Sequence, residues 1–176
     1  GFTGDKRINH IYIEGNRAVV SVAYGVSIFN LDRKEFGDTA FFNNGATFTS
    51  AKESIIKNNK IYSATPTGLY SHEIDTTFPV FSTWNMVKNG NFNQLATNGD
   101  KIVVADEWYS YIGDGTSFNS FTSFPNPITD VVMKNTSNVV FSTLNGMVYE
   151  YSPVANLVRS KDFGEGLNTC YISGNA

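Results

Sequence analysis

The sequence has 176 residues, of which 41% are hydrophobic and 14% aromatic, and this composition is too apolar for a disordered chain. The formal net charge of −3 excludes the basic footprint of a nucleic-acid-binding protein, and no apolar run reaches the length of about 18 residues that a transmembrane helix needs. Charged residues make up only 16%, whereas Asn, Ser, Thr and Gly are abundant. This balance predicts short strands and tight turns with little helix.

The same pattern of short strands and polar turns recurs along the chain with a period of about 40 residues. Each copy opens with an apolar strand, and these strands read HIYIE, SIIK, QLAT, DVVMK and TCYIS. The polar turns that follow them fall at Gly15, Asn58, Gly99, Thr136 and Gly174. Repeats of this length with several strands each are typical of β-propeller blades.

Four strands can be placed inside each repeat. The second strands are RAVVSVA, KIYSAT, KIVVAD and NVVFST. The hairpins that follow them are Tyr24-Gly25, Thr67-Gly68, Trp108-Tyr109 and Asn145-Gly146. After a third strand, the closing stretches are FGDTAFF, FPVFSTW, FNSFTSF and LVRSKDF. The first two strands are nearly continuously apolar, which predicts that neighbouring blades cover both of their faces.

The recurring order of four strands favours a propeller over a β-sandwich, which does not require a fixed repeat. We therefore predict an all-β fold, a single β-propeller over residues 1–176 built from four-stranded antiparallel blades. The predicted blades span residues 8–51, 52–91, 92–127 and 128–166, and the first strand of a fifth lies in 167–176. Because propellers close into rings of typically four to eight blades, we expect this segment to be part of a larger ring.

Two segments carry a resemblance to a known family. They are INHIYIEGNRAVVSVAYGVSIFNLDRKEFGDTAFF and KIYSATPTGLYSHEIDTTFPVFSTW. The marks are an Ile8-Asn9 opening, a Tyr24-Gly25 hairpin, Asp38-Thr39, the stretch ATPTGLY and a closing Trp84. In these features the first half of the chain resembles the PorZ-like N-terminal β-propeller of the Bacteroidetes type IX secretion system. The second half matches only as a generic propeller, and related repeats occur in the sensor regions of two-component regulators.

The resemblance implies a non-catalytic binding scaffold at the cell surface, associated with the outer membrane or in the periplasm. Its implied partners are the sortase of the secretion system and anionic lipopolysaccharide or another glycan, and it implies no cofactor. The alternative is a glycan-sensing propeller of a hybrid two-component regulator. A third hypothesis is a polysaccharide-degrading enzyme.

The residues themselves give little sign of catalysis. His10 and His72 lie in predicted strands of different repeats without the spacing of a metal pair. Asp106-Glu107 or Asp130 could serve a glycosidase, but the required separation of two carboxylates is spatial and cannot be deduced from sequence. Cys170 is a single cysteine in a predicted strand and excludes an internal disulfide. We predict no catalytic residue and no metal site.

A recognition surface is predicted at one hairpin instead. Glu107, Trp108 and Tyr109 occupy a tip where the other repeats place small or turn-forming residues. Exposed aromatic rings at such a tip can stack on a sugar face or anchor a protein partner, although Trp108 could also fold back onto its own blade. Tyr24 occupies the equivalent tip of the first repeat and is expected on the same rim. Trp84 is expected to pack in the structure rather than bind.

Overall fold

The computed structural model describes residues 4–44, 47–134, 138–164, 166–167 and 169. These residues form eighteen strands, and the helical element among them is one short 3-10 turn, Phe81–Thr83. Sixteen of the strands make four antiparallel four-stranded sheets. The all-β prediction and the prediction of four-stranded antiparallel blades are confirmed.

The sheets follow one another along the chain, and within each sheet consecutive strands pair as a meander. The first sheet contains β1 (Ile8–Glu14), β2 (Arg17–Val22), β3 (Gly25–Asn30) and β4 (Glu35–Phe41). A small ladder of β5 (Asn43–Asn44) and β6 (Thr47–Phe48) follows. The second sheet contains β7 (Glu53–Lys57), β8 (Lys60–Thr65), β9 (Gly68–Glu73) and β10 (Asn85–Asn89). The third contains β11 (Gln94–Thr97), β12 (Ile102–Ala105), β13 (Tyr109–Gly113) and β14 (Phe118–Ser123). The fourth contains β15 (Ile128–Met133), β16 (Val139–Thr143), β17 (Met147–Tyr151) and β18 (Leu157–Asp162).

The chain divides into two compact units, residues 1–93 and residues 94–176. Unit 1 holds the first two sheets and unit 2 holds the third and fourth, and each unit has its own hydrophobic core. The single-propeller assignment over the whole chain and its blade boundaries stay predictions.

The core of unit 1 is aromatic where the two sheets meet. Phe42 and Phe78 are fully buried, and Trp84 packs between them with ring centroids 4.7 and 5.4 Å away. The indole Nε1 of Trp84 donates a hydrogen bond to the carbonyl oxygen of Phe78 at 2.9 Å. The packing role expected for Trp84 is therefore confirmed, since its ring is buried and its one polar atom is satisfied.

Within unit 1, the first strand is covered on one face and not on both. Tyr12 packs against the core of unit 1, but Ile11 and Ile13 on either side of it are exposed. Successive side chains of a strand point to opposite faces, and within unit 1 only the Tyr12 face meets the second sheet, where β1 lies beside β7. The apolar residues of β1 are thus not covered on both faces inside this unit.

The core of unit 2 is formed by the facing sides of its two sheets. Phe141 of β16 and Val103 of β12 are fully buried, and β11 lies beside β15. Phe124, just after β14, packs on Phe141 with ring centroids 4.8 Å apart. This arrangement fixes the end of the third sheet against the fourth and positions the hairpin described below.

The fourth strand of the second sheet is not where the sequence suggested. The stretch FPVFSTW contains the 3-10 turn, and the strand that completes the sheet, β10, begins only after Trp84. The chain leaves the strand conformation at Asp75, because Oδ1 of this residue accepts hydrogen bonds from the backbone N–H and the hydroxyl of Thr77. Two turn hydrogen bonds follow. The backbone N–H of Phe78 donates to the carbonyl oxygen of Asp75, and the backbone N–H of Val80 donates to the carbonyl oxygen of Thr77. These local bonds use donors that a strand would have offered to β9.

The other three closing stretches were placed correctly, since they form β4, β14 and β18. The strand TCYIS, predicted to open a fifth blade, lies outside the described residues apart from Thr169. The turn positions Thr136 and Gly174 also lie outside the described residues.

Candidate functional site

The hairpin between β12 and β13 is held in shape by one carboxylate. Oδ1 of Asp106 accepts hydrogen bonds from the backbone N–H groups of Trp108 and Tyr109, both at 2.7 Å. The backbone N–H of Asp106 donates in turn to the carbonyl oxygen of Tyr109 at 3.0 Å. Asp favours such turns because its short side chain bonds the backbone two residues on. The loop is therefore formed before any ligand arrives.

Two backbone carbonyl groups of the same hairpin tip form hydrogen bonds with other segments of unit 2. The oxygen of Trp108 accepts from the N–H of Phe124 at 3.0 Å, and the oxygen of Glu107 accepts from the N–H of Ile128 at 2.7 Å. These two bonds join the tip to the end of β14 and the start of β15. A main chain fixed in this way lowers the entropy lost when its side chains bind a partner.

The side chains of this tip face solvent. Trp108 is 40% exposed, Tyr109 is 56% exposed, and Glu107 is also exposed. Trp108 lies outside the hydrophobic core of unit 2, to which the rings of Phe121 and Phe124 belong. We call Glu107, Trp108 and Tyr109 the aromatic hairpin. It offers two rings and one carboxylate on a rigid loop.

The second sheet braces its corresponding hairpin in a similar way. There the hydroxyl of Thr65 accepts hydrogen bonds from the backbone N–H groups of Thr67 and Gly68, both at 3.1 Å. Tyr109 thus stands where the second sheet has Gly68 and the first has Gly25. A large ring replaces a glycine at this position of the third sheet, and its side chain is exposed rather than accommodated in a core.

Tyr24 lies at the corresponding hairpin of the first sheet and has a different environment. Its side chain is half-buried, and its ring stacks on Phe41 with centroids 5.4 Å apart and planes inclined by 22°. Phe41 is in turn 6.1 Å from the ring of Phe48. The structure places Tyr24 in unit 1 and the aromatic hairpin in unit 2. That they share one rim stays a prediction.

Several residues considered for catalysis have structural contacts. His72 is buried, with Nδ1 at 2.6 Å from the carbonyl oxygen of Glu73 and Nε2 at 2.7 Å from the hydroxyl of Thr83. Oδ1 of Asp130 accepts from the backbone N–H of Val131. These contacts fit the prediction that His72 is an ordinary strand residue, here joining β9 to the segment before β10.

Among the residues that the structure describes, no three His, Cys, Asp or Glu side chains are grouped so that they could hold a metal ion. Within the same residues, no helix is long and apolar enough to cross a membrane.

Unit 1 also contains a cleft of about 620 Å³ that was not predicted from the sequence. Its lining residues come from three segments that are distant in sequence: Phe41, Asn43, Thr49, Thr67, Tyr70, Pro79, Val80, Phe81, Ser82 and Trp84. We call it the unit 1 cleft. The stretch FPVFSTW could have indicated the cleft, because it is rich in aromatic and polar residues. It was predicted to be a strand instead.

The first half of the chain matches a family model. Residues 2–85 match the model described as the PorZ N-terminal β-propeller domain of the type IX secretion system. This half of the chain is PorZ-like. The match covers the two sheets of unit 1 up to the start of β10, including the unit 1 cleft and Tyr24. No curated protein sequence matches the chain.

Solved structures share the fold across most of the chain. A chain of the mitotic checkpoint complex aligns with a TM-score of 0.75 and 7% identity, covering 93% of this chain and 55% of its own length. PorZ, an essential bacterial surface component of the type IX secretion system of Porphyromonas gingivalis, aligns with a TM-score of 0.68 and 14% identity. That alignment covers 89% of this chain and 21% of PorZ. A gluconolactonase from Xanthomonas campestris aligns with a TM-score of 0.66 and 12% identity, covering 88% of this chain and 61% of the enzyme.

These likenesses show the fold, and the chain spans only part of each of the three proteins. The same architecture serves a secretion component and an enzyme, so function has to be argued from the sites.

Proposed function

We propose that the chain is a non-catalytic binding scaffold of a type IX secretion system, located at the cell surface or in the periplasm. In this role it holds the sortase of the system near anionic lipopolysaccharide during the attachment of cargo. The observation that carries the proposal is the match of residues 2–85 to the PorZ N-terminal propeller domain. The two surfaces of unit 2 described next support it.

The aromatic hairpin suits a protein partner such as the sortase. Trp and Tyr are enriched among the residues that dominate protein interfaces, because they bury a large area at low entropic cost. The loop is fixed by Asp106, and Trp108 and Tyr109 are exposed. Glu107 beside them can pair with a basic residue of the partner.

A groove on the fourth sheet suits an anionic polymer despite the negative net charge of the chain. Its volume is about 280 Å³, and its charged lining consists of Lys134, Arg159, Lys161 and Glu150. Three cations against one carboxylate leave a local positive charge. The single carboxylate, that of Glu150, is engaged by Lys134 at 3.0 Å and Arg159 at 2.6 Å. Lys161 forms neither of these ion pairs and lies 4.9 Å from the ring centroid of Phe163.

Binding measurements on the full chain test both surfaces. We expect the immobilised chain to bind the purified sortase, with at least tenfold weaker affinity in Trp108→Ala. Leu144→Ala is the matched control, since Leu144 is an exposed apolar residue at the corresponding hairpin of the fourth sheet. Equal affinities of the wild-type chain and Trp108→Ala would remove the aromatic hairpin from the proposal.

The lipopolysaccharide contact needs a separate assay. We expect vesicles carrying the anionic polysaccharide to bind the chain, with binding weakened in Lys161→Ala and by added salt. Lys101→Ala is the control, because Lys101 is an exposed cation of the same unit outside this groove. Failure of the chain to bind the sortase, or failure to bind lipopolysaccharide, would contradict the proposed function.

A further inference from the structure

The floor of the unit 1 cleft is a set of rings that the core holds in place. The ring of Phe81 stacks on the fully buried Phe42 at 4.6 Å and lies 5.2 Å from the ring of Tyr70. Phe42 also meets Trp84 edge to face at 4.7 Å. These aromatic surfaces are therefore pre-formed, and a ligand that lies on them does not have to order them.

Among the residues that the structure describes, the rim of the cleft is polar and carries no charge. Asn43, Thr49, Thr67 and Ser82 offer an amide and three hydroxyls, and none of the ten lining residues is acidic or basic. The hydroxyl of Thr67 lies 3.4 Å from that of Tyr70, which brings a further donor to the edge of the floor. A charged ligand would lose its hydration here without gaining a counter-charge. A neutral ligand with many hydroxyls would not incur this penalty.

The cleft adjoins a row of exposed and half-buried rings. Phe41 lines the cleft and is 37% exposed, and it stacks on Tyr24 at 5.4 Å. On its other side lies Phe48, which is 44% exposed, with ring centroids 6.1 Å apart. An aromatic row beside a cleft suits a ligand longer than the cleft itself.

From these three features we propose that the unit 1 cleft binds a neutral oligosaccharide. The apolar C–H faces of the sugar rings would lie on Tyr70, Phe81 and Phe41, and the sugar hydroxyls would bond the uncharged rim. The volume of about 620 Å³ is within the range of roughly 300 to 1,000 Å³ that is usual for ligand sites. The proposal does not depend on the sortase or on the anionic polymer, since both of those surfaces lie in unit 2.

A proline-rich peptide is the competing occupant, because such peptides also bind aromatic grooves. The rim favours a saccharide, since it offers four uncharged hydrogen-bonding side chains where a peptide of this class needs few. The peptide therefore serves as an arm of the test.

The experiment titrates the full chain with three probes by calorimetry. These are hexasaccharides of neutral glucose, mannose and galactose units, the same chains containing uronic acids, and a ten-residue proline-rich peptide. The fluorescence of Trp84, which lines the cleft, gives a second readout, and a change that persists in Trp108→Phe assigns the signal to Trp84. We expect at least one neutral hexasaccharide to bind and to change this fluorescence.

Phe41→Ser is the decisive variant, and Phe36→Ser is its control. Both residues are exposed phenylalanines of β4 with a ring neighbour, but Phe36 packs on Phe29 and does not line the cleft. We expect Phe41→Ser to weaken binding at least tenfold and Phe36→Ser to leave it unchanged. Should Phe41→Ser not fold, Ser82→Trp, which fills the cleft from an exposed position, is expected to give the same loss.

Three outcomes would overturn the inference. They are binding of the uronic-acid chains or the peptide in preference to every neutral chain, no binding of any neutral chain, and equal loss in Phe41→Ser and Phe36→Ser. Binding of a neutral chain without affinity for the sortase would support this site while contradicting the proposed function.

Discussion

Gly25 lies so close to the main chain of Ala40 that a side chain cannot be added without moving the strand. A Cβ atom at Gly25 would overlap the carbonyl oxygen of Ala40 and lie 2.9 Å from the amide nitrogen of Phe42. The φ angle of Gly25, +140°, is also one that residues with a side chain rarely adopt. The start of β3 therefore requires glycine in order to pair with β4.

Gly25→Ala is expected to lower the free energy of unfolding by about 2 to 4 kcal/mol, through backbone strain and displacement of β4. The measurement is chemical denaturation of both proteins. Gly37→Ala in β4 is the control, because its Cβ would lie 3.6 Å from the carbonyl oxygen of Ile28, an ordinary contact. We expect that change to cost less than about 1 kcal/mol. Equal costs at Gly25 and Gly37 would contradict the close approach.

The aromatic hairpin should contribute little to stability. Trp108→Ala is expected to change the free energy of unfolding by less than about 1 kcal/mol, because the ring is 40% exposed and lies outside the core. Asp106→Ala should cost more, about 1 to 2 kcal/mol, since two backbone N–H groups lose their acceptor. Thermal unfolding of the two variants and the wild-type chain measures these differences. A larger loss for Trp108→Ala than for Asp106→Ala would make the tryptophan a structural residue.

Much of the fold could be predicted because short sequence patterns mark the strands and turns of each repeat. Glycine marks the hairpin at Gly25 and Gly68, and apolar runs mark the inner strands, so strand order follows from spacing. The segment before β10 could not be placed in this way. There the carboxylate of Asp75 accepts hydrogen bonds from the backbone N–H and the hydroxyl of Thr77, and these bonds compete with strand pairing. The neighbouring aromatic residues, which favour strands, made this turn hard to recognise in the sequence.

The aromatic hairpin was visible in sequence because its rings interrupt a repeat of small residues. The unit 1 cleft was not visible, because it depends on Phe41, Tyr70 and Phe81 meeting in space from distant segments. The positively charged groove on the fourth sheet depends likewise on strand register, which places Arg159 of β18 opposite Glu150 of β17. Composition and spacing do not encode such pairings.

Glu150 should make the stability of the chain depend on pH in the acid range. Its side chain is only 8% exposed, and hydrogen bonds from Asn138, Lys134 and Arg159 lower its pKa from 4.5 to about 2. Because the pKa is lower in the folded state, the stabilisation is fully present above pH 4.5 and is lost as the pH falls toward 2.

Glu150→Gln tests this dependence. At pH 7 it is expected to cost about 1 to 3 kcal/mol, since two cations lose a buried partner. Between pH 5 and about 2, the difference from the wild-type chain should shrink, as followed by urea denaturation at each pH. Glu73→Gln is the control, because the ion pair of Glu73 with Lys60 is half exposed and should contribute less than about 1 kcal/mol. A difference that does not vary with pH would contradict the assignment.

A buried chain of three serine hydroxyls joins the two sheets of unit 1, and its middle member should be the most sensitive. Ser21 of β2 donates to Ser54 of β7 at 2.8 Å, and Ser54 donates to Ser63 of β8 at 3.0 Å. Ser54→Ala is expected to cost about 1 to 3 kcal/mol, because it leaves the buried hydroxyl of Ser21 without its acceptor. The double variant Ser21→Ala/Ser54→Ala should cost less than the sum of the single changes, since the orphaned donor is then gone. Denaturation of the three variants, with exposed Ser82→Ala as the control, measures this coupling, and strict additivity would show that the hydroxyls act independently.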